Sequence, residues 1–213
     1  MRSPTHVAPR CTHVRRSHDA DDLAAILDPA ITLAIWERPS ALPVGSLEGF
    51  EAIQMIAAVD HAGAMLAAAF ALRPAAAWHD GVVADVATMV ARFAAIMALS
   101  HVVIRLERVT GDACKRWHAD YVAVRLICTY RGSGTQWIER SMTAGDASVI
   151  ETQRSLDAGA VGLFKGRVLA GEQAILHRSP PIAGTGEERL LLVLDGPPPA
   201  DTAALWESAL QRI

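Results

Sequence analysis

Cysteine is scarce in this sequence: three residues in 213, at positions 11, 114 and 128. There is no Cys-x-x-Cys pair and no even framework, which excludes a disulfide-stapled secreted scaffold and makes a reducing, cytoplasmic setting the expectation. An excess of charge of one sign is also lacking. Twenty Lys and Arg stand against 23 Asp and Glu, a formal net charge of -3, so no basic field draws nucleic acid or an anionic membrane. Long apolar runs are few. AGAMLAAAFAL (62–72) is too short to cross a bilayer, and VVADVATMVARFAAIMAL (82–99) is interrupted by Asp85 and Arg92. In that second run Val86, Met89, Val90, Phe93 and Met97 recur at helical spacing, the mark of an amphipathic helix on a core. The opening stretch MRSPTHVAPRCTHVRRSHDADD has no apolar h-region of a secretory signal, and residues 1–20 are expected to be a frayed tail. No Gly-x-x-x-x-Gly-Lys-Ser/Thr loop and no Gly-x-Ser-x-Gly elbow occur, and GTGEE (184–188) leads into no helix. Phosphate-loop, dinucleotide-fingerprint and serine-hydrolase readings therefore fall away.

What is present is a chain that changes character near residue 100. Hydrophobic residues make up 51% and charged residues 20%, the composition of a folded domain. The first half is alanine-rich and helical in period. A short helix is predicted from Asp21, a strand over 31–39, and helices over 46–59, 61–72 and 80–99, the first of these capped by Ser46. Beyond residue 100 the period shortens. Strands are predicted at 101–111, 120–130, 134–139, 159–166, 173–179 and 189–195, each bounded by Gly, Pro, Ser or Asp. A terminal helix is predicted over 200–213. The fold class that follows is α+β, an N-terminal helical layer (21–100) on a C-terminal antiparallel β-barrel or jelly roll (101–195), forming one domain over 21–213.

The candidate chemistry lies in CKRWHADYVAVRLICTYRGSG (114–134). About one His-x-acid pair is expected by chance at this composition, so His118 and Asp120 gain meaning only from context. In an extended segment they share a face. The later run QAILHRS carries His177, and two histidines with one carboxylate on adjoining strands make a facial triad with open coordination positions. Arg189 opens the last strand, and its planar fork suits a carboxylate. A rival is a closed zinc tetrad in which Cys114 joins His118, Asp120 and His177. Arg125, five residues from Asp120, faces away in a regular strand and reads as a surface ion pair. Arg131, in the glycine-flanked turn, and Trp117 are candidate substrate contacts, Trp137 a further pocket wall, and Cys128 a small core residue.

The order His118-x-Asp120, His177, Arg189 resembles the pattern of Fe(II)/2-oxoglutarate-dependent oxygenases, which fold as a double-stranded β-helix of the cupin kind. The resemblance spans about residues 101–195. It implies Fe(II) on the triad, 2-oxoglutarate on Arg189 and oxidation of a small molecule or peptide; from the charge balance no nucleic-acid or membrane partner is expected, and a homodimer is compatible with the sequence. The sequence departs from that pattern at Leu191, where a Ser or Thr is usual, and Lys165 is the alternative carboxylate anchor. RWHADYVAVRLICTYRGSGTQWI, LFKG and HRSPP…RLLLVLD together also resemble the uncharacterised bacterial domain-of-unknown-function family 1826. A non-catalytic zinc-binding or metal-homeostasis protein on the same barrel is the alternative function.

Overall fold

Among the described residues, ten strands and three α-helices follow in chain order: β1 (Val14–Ser17), β2 (Leu33–Trp36), β3 (Ile53–Ala58), α1 (Ala62–Ala71), α2 (His79–Met97), β4 (His101–Val109), β5 (Val124–Arg131), β6 (Gln136–Met142), β7 (Val149–Ser155), β8 (Val161–Lys165), α3 (Arg167–Ala170), β9 (His177–Arg178) and β10 (Arg189–Asp195). The computed structural model describes residues 13–38, 42–142 and 149–197. Seven strands form one sheet in the order β1-β2-β8-β5-β10-β4-β3, and β7-β6-β9 form a second. Apart from the parallel β1–β2 pair, the ladders are antiparallel. The chain is thus mixed α+β with mostly strand content.

Alternation in the central strands gives the large sheet two different faces. Leu190, Leu192 and Leu194 of β10 join Val102, Ile104 and Leu106 of β4 in a core that also holds Val82, Val86, Met89, Val90 and Phe93 of α2. Each such side chain contributes about 1.5–3 kcal/mol by leaving water. The polar link across this layer is Arg38, which donates to both carboxylate oxygens of Asp85 at 2.6 and 2.7 Å, while the Tyr130 hydroxyl donates to the same group at 2.7 Å. The opposite face carries Ile127 of β5 and Phe164 of β8, which pack with Trp137 of β6, Leu156 and Ile175 in a second core between the sheets. Arg125, Arg189 and Asp195 alternate onto that inner face.

Several sequence expectations are corrected. Residues 46–59 are not a helix. Ser46 Oγ accepts from the Glu48 amide at 3.1 Å in a local turn, Gly49 has φ +72°, and Ile53–Ala58 pairs antiparallel with β4 from Ile53↔Leu106 to Ala58↔His101. Ile53 and Ala57 are both buried, and a spacing of four suits a strand face as well as a helix turn. The region 21–100 therefore contributes two strands besides its helices. Order begins earlier than residue 21, with β1 inside the expected tail. The helix from Asp21 is a 3₁₀ segment (Ala20–Leu27) capped by the Asp19 carboxylate. The helices expected at 61–72 and 80–99 are α1 and α2; α2 ends where Ala98 takes φ +53°. The helix expected over 200–213 lies outside the described residues.

Candidate metal centre

His118 and His177 face each other because their backbones exchange hydrogen bonds: His118 N–H to the His177 carbonyl at 3.0 Å and the reverse at 2.9 Å. Direct opposition in an antiparallel pair brings side chains together, and the two ring centroids are 4.7 Å apart. Asp120 follows two residues on and turns its carboxylate to the same side. Its Oδ1 is 3.7 Å from His118 Nε2 and its Oδ2 is 3.0 Å from His177 Nε2. One nitrogen from each histidine and one oxygen from Asp120 lie within 4.8 Å of one another. Among the described residues this is the group of three arranged to hold a metal ion.

The hydrogen bonds of the rings test the fit. His118 Nδ1 lies 2.8 Å from the Arg116 carbonyl and His177 Nδ1 3.3 Å from the Ile175 carbonyl. A carbonyl only accepts, so each Nδ1 carries a proton, and Nε2 is the nitrogen that each ring turns toward Asp120. Oδ2 of Asp120 is shut off from solvent and makes no hydrogen bond of acceptable geometry, although Arg125 Nη1 stands 2.7 Å away as an ion-pair partner. Two imidazole nitrogens and a carboxylate oxygen brought together in this way are a donor set that fits a divalent transition metal. Backbone carbonyls holding the outer nitrogens of ligating histidines are the usual orienting arrangement. Burial alone would raise the Asp120 pKa, but His177, Arg125 and His118 together bring it down to about 2, so the carboxylate is charged and ready to ligate.

Asp120 reaches this position because the chain is not a regular strand between it and Arg125. Residues 121–123 bend before β5 begins. The bend is held by Gly166, whose added Cβ would stand 2.2 Å from the Val122 carbonyl oxygen, and by Arg167 N–H donating to the Asp120 carbonyl at 2.8 Å. Arg125 consequently points at Asp120, not away from it as strict alternation from residue 120 predicts. It is also locked to Asp195, Nε to Oδ1 at 2.7 Å and Nη2 to Oδ2 at 2.8 Å. Neither Arg125 nor Asp195 was recognisable as a site residue from local motifs. The available signal was the period within RLLLVLD, which puts Arg189 and Asp195 on one face and three leucines on the other.

Arg189 is wholly buried. Its guanidinium donates to the Ser133 carbonyl at 2.6 Å and to the hydroxyls of Ser179, Thr129 and Thr135 at 3.2, 3.2 and 3.5 Å. No carboxylate lies within ion-pair distance among the described residues. Burial pushes its pKa down to about 10, against the pull of Glu187. A buried cation met only by neutral acceptors is costly. Thr135 and Ser179 also line a cavity of about 110 Å³ with His118, His177, Arg125 and Cys114.

The other candidates are placed elsewhere. Lys165 lies on the helix-facing side of β8, alternate to Phe164, and donates to the Asp28 carbonyl at 2.7 Å, so it does not face the triad. Arg131 hydrogen-bonds the Gly45 carbonyl, and its glycine turn serves the backbone. Gly132 has φ +81°, and a Cβ on Gly134 would meet the Leu156 carbonyl at 1.9 Å. Trp117 stacks under Arg178 at 4.4 Å, beside His177. Trp137 is core. Cys114 is exposed and lines the cavity but is not in the group whose ligand atoms lie within 4.8 Å of one another. Cys128 is buried on the helix-facing side, its thiol pushed up to about 11 by burial.

The model of the family described as "Protein of unknown function (DUF1826)" matches residues 17–195. The chain belongs to the DUF1826 family. None of the curated proteins matches the sequence. Among solved structures, this DUF1826 member is similar to a Pseudomonas putida prolyl-4-hydroxylase at 16% identity and TM-score 0.40, covering 90% of this chain and 98% of that one. It is also similar to the hydroxypropylphosphonic acid epoxidase from S. wedmorenis, at 14% identity and TM-score 0.29, covering 44% and 42%. A third is the vicilin of hazelnut, Corylus avellana, at 12% identity and TM-score 0.32, covering 47% and 25%. The chain thus spans the length of the first and less than half of the other two. For a DUF1826 chain the functional reading rests on its own site geometry. No helix among the described residues is long and apolar enough to cross a membrane.

Proposed function

We propose that this protein is a metal-dependent oxygenase of the Fe(II)/2-oxoglutarate type, with a double-stranded β-helix as its scaffold and a small molecule or peptide as its substrate. The observation that carries the reading is the gathering of one nitrogen from each of two histidines and one oxygen of Asp120 within 4.8 Å of one another. Two histidines and one carboxylate form a facial set that leaves other positions open, as ferrous oxygenases need. Fe(II), when bound, would activate O₂, with 2-oxoglutarate as the co-substrate that supplies two electrons and leaves as succinate and CO₂, for insertion of one oxygen atom into a substrate. The chain's own part is to orient and to exclude water. His118 and His177 are oriented as ligands by the carbonyls of Arg116 and Ile175. Arg189, held by Thr129, Thr135 and Ser179 next to the cavity that His118 and His177 line, is the cation proposed to meet the cosubstrate carboxylate. Phe164, with its ring 5.0 Å from that of His177, closes the apolar side.

Protein purified without chelator is expected to carry nearly stoichiometric metal, lost in His118→Ala and His177→Ala. Anaerobic Fe(II) followed by 2-oxoglutarate is expected to produce a charge-transfer absorption. Bound zinc indifferent to 2-oxoglutarate, or no metal at all, would overturn the proposal.

A further inference from the structure

Resting on the metal reading of His118, Asp120 and His177, we propose that Arg125, clamped by Asp195, is a positioning residue that fixes the Asp120 carboxylate for metal binding. The two histidines are fixed by their mutual backbone bridge, but Asp120 sits just before the bend at 121–123, on a segment without a ladder of its own. Its side-chain orientation must come from elsewhere. Arg125 supplies it. The guanidinium spends Nε and Nη2 on the two oxygens of Asp195, a bidentate grip that sets the plane of the fork. Nη1 then stands 2.7 Å from Oδ2 of Asp120. The clamp is itself enclosed: Asp195 is 3% exposed, and on its other side Arg105 Nη2 lies 3.5 Å from Oδ2.

Charge explains why the clamp has two parts. A lone guanidinium beside Asp120 would repel an incoming divalent cation. Asp195 offsets that charge while leaving the orientation intact, so the pair holds Asp120 as an aimed ion-pair partner with little net charge of its own. The sign of each substitution follows. Asp195→Asn leaves Arg125 charged and unclamped, and metal binding weakens. Arg125→Gln frees Asp120 to rotate, and metal binding weakens again. Each is expected to cost about 10–100-fold in affinity, the range for groups that orient a ligand. Because both act through one contact, the double variant is expected to be no worse than the poorer single. Arg125→Lys keeps a charged donor without the fork and is expected to lie between wild type and Arg125→Gln.

The test is Co(II) titration of the chelator-stripped full chain, following the visible d–d spectrum for ligand geometry, with thermal unfolding of each stripped variant as the measure of folding. Weakened binding, an altered spectrum and partial rescue by Arg125→Lys in folded protein are the expected results. Variants that bind Co(II) with wild-type affinity and spectrum would overturn the inference alone. So would affinity losses that only track loss of fold, with Arg125→Lys giving no rescue, since the clamp would then be merely structural. A wild-type chain that takes up no Co(II) would overturn the metal reading and this inference with it.

Discussion

Arg189→Met separates the two roles a buried arginine can have. The guanidinium is fully enclosed and donates only to neutral oxygens: the Ser133 carbonyl and the hydroxyls of Ser179, Thr129 and Thr135. A residue kept for the fold would lose much on truncation, because breaking a satisfied buried polar network costs about 3–5 kcal/mol. A residue kept for a ligand behaves differently. Its unpaired charge already burdens the ligand-free protein, and an apolar side chain of similar length removes that burden. The main loss is then the unsatisfied Ser133 carbonyl, about 1–3 kcal/mol. Toward 2-oxoglutarate the expectation reverses. Two charge-assisted hydrogen bonds at about 1.5–3 kcal/mol each convert to a loss of about 10²–10⁴ in affinity.

Thermal unfolding of the metal-loaded protein reads both effects. At a 2-oxoglutarate concentration of about 100 times Kd, binding stabilises the folded state by about 2.7 kcal/mol, which for a chain of this size raises Tm by about 5–11 °C. The wild type is expected to show that rise and Arg189→Met to show none, with only a modest fall in Tm without ligand. An undiminished rise in the Met variant would refute the assignment of Arg189 as carboxylate anchor. A large ligand-free loss would make it a structural residue.

Three further outcomes are expected. Cys114→Ala keeps metal affinity within a few-fold of wild type in chelator competition, because Cys114 lines the cavity without joining the ligand group; loss of the metal would favour the zinc tetrad. Asp85→Ala strands Arg38 and the Tyr130 hydroxyl in the helix–sheet layer and costs about 3–5 kcal/mol in urea unfolding, whereas a change below about 1 kcal/mol would contradict the buried network. His13 is held below its ordinary pKa by burial and the Arg140 guanidinium, against the pull of Glu139, so its neutral form favours the fold. Its contribution is complete above about pH 6.5 and is lost as pH falls from there through the lowered folded value. The β1 amides should then exchange faster at pH 5.5 than at 7.5 once intrinsic rates are removed, and equal protection would count against this.

The β half was legible because its strands announce themselves by period and composition. RLLLVLD is β10 residue for residue, and HVVIRLERV is β4. His118, Asp120 and His177 were legible as a set because alternation and strand adjacency are local rules, and the bridge between His118 and His177 obeys them. In the first half β3 was misread for a physical reason. Ala, Met and Ile in AIQMIAAV satisfy helix propensity, and only the open edge of β4, distant in sequence, decides for a strand. The short β1 was hidden in the same way, since its four residues are ordered by pairing with β2 and by the 3₁₀ segment between them.

Arg125 was misplaced by a rule applied across a break. Counting from Asp120 assumes a continuous strand, whereas the chain bends at 121–123 and resets the alternation. Counting within β5 alone gives the right face: Arg125, Ile127 and Thr129 oppose Leu126, Cys128 and Tyr130 of the helix-facing core. The antiparallel pairing then sets Asp195 opposite Arg125 and Leu191 opposite Thr129. Polar residues recurring at period two opposite an unbroken apolar row are thus a sign of a buried polar face. On β5 and β10 that sign pointed to Arg125, Asp195 and Arg189 at once, where a search for short motifs found only the last.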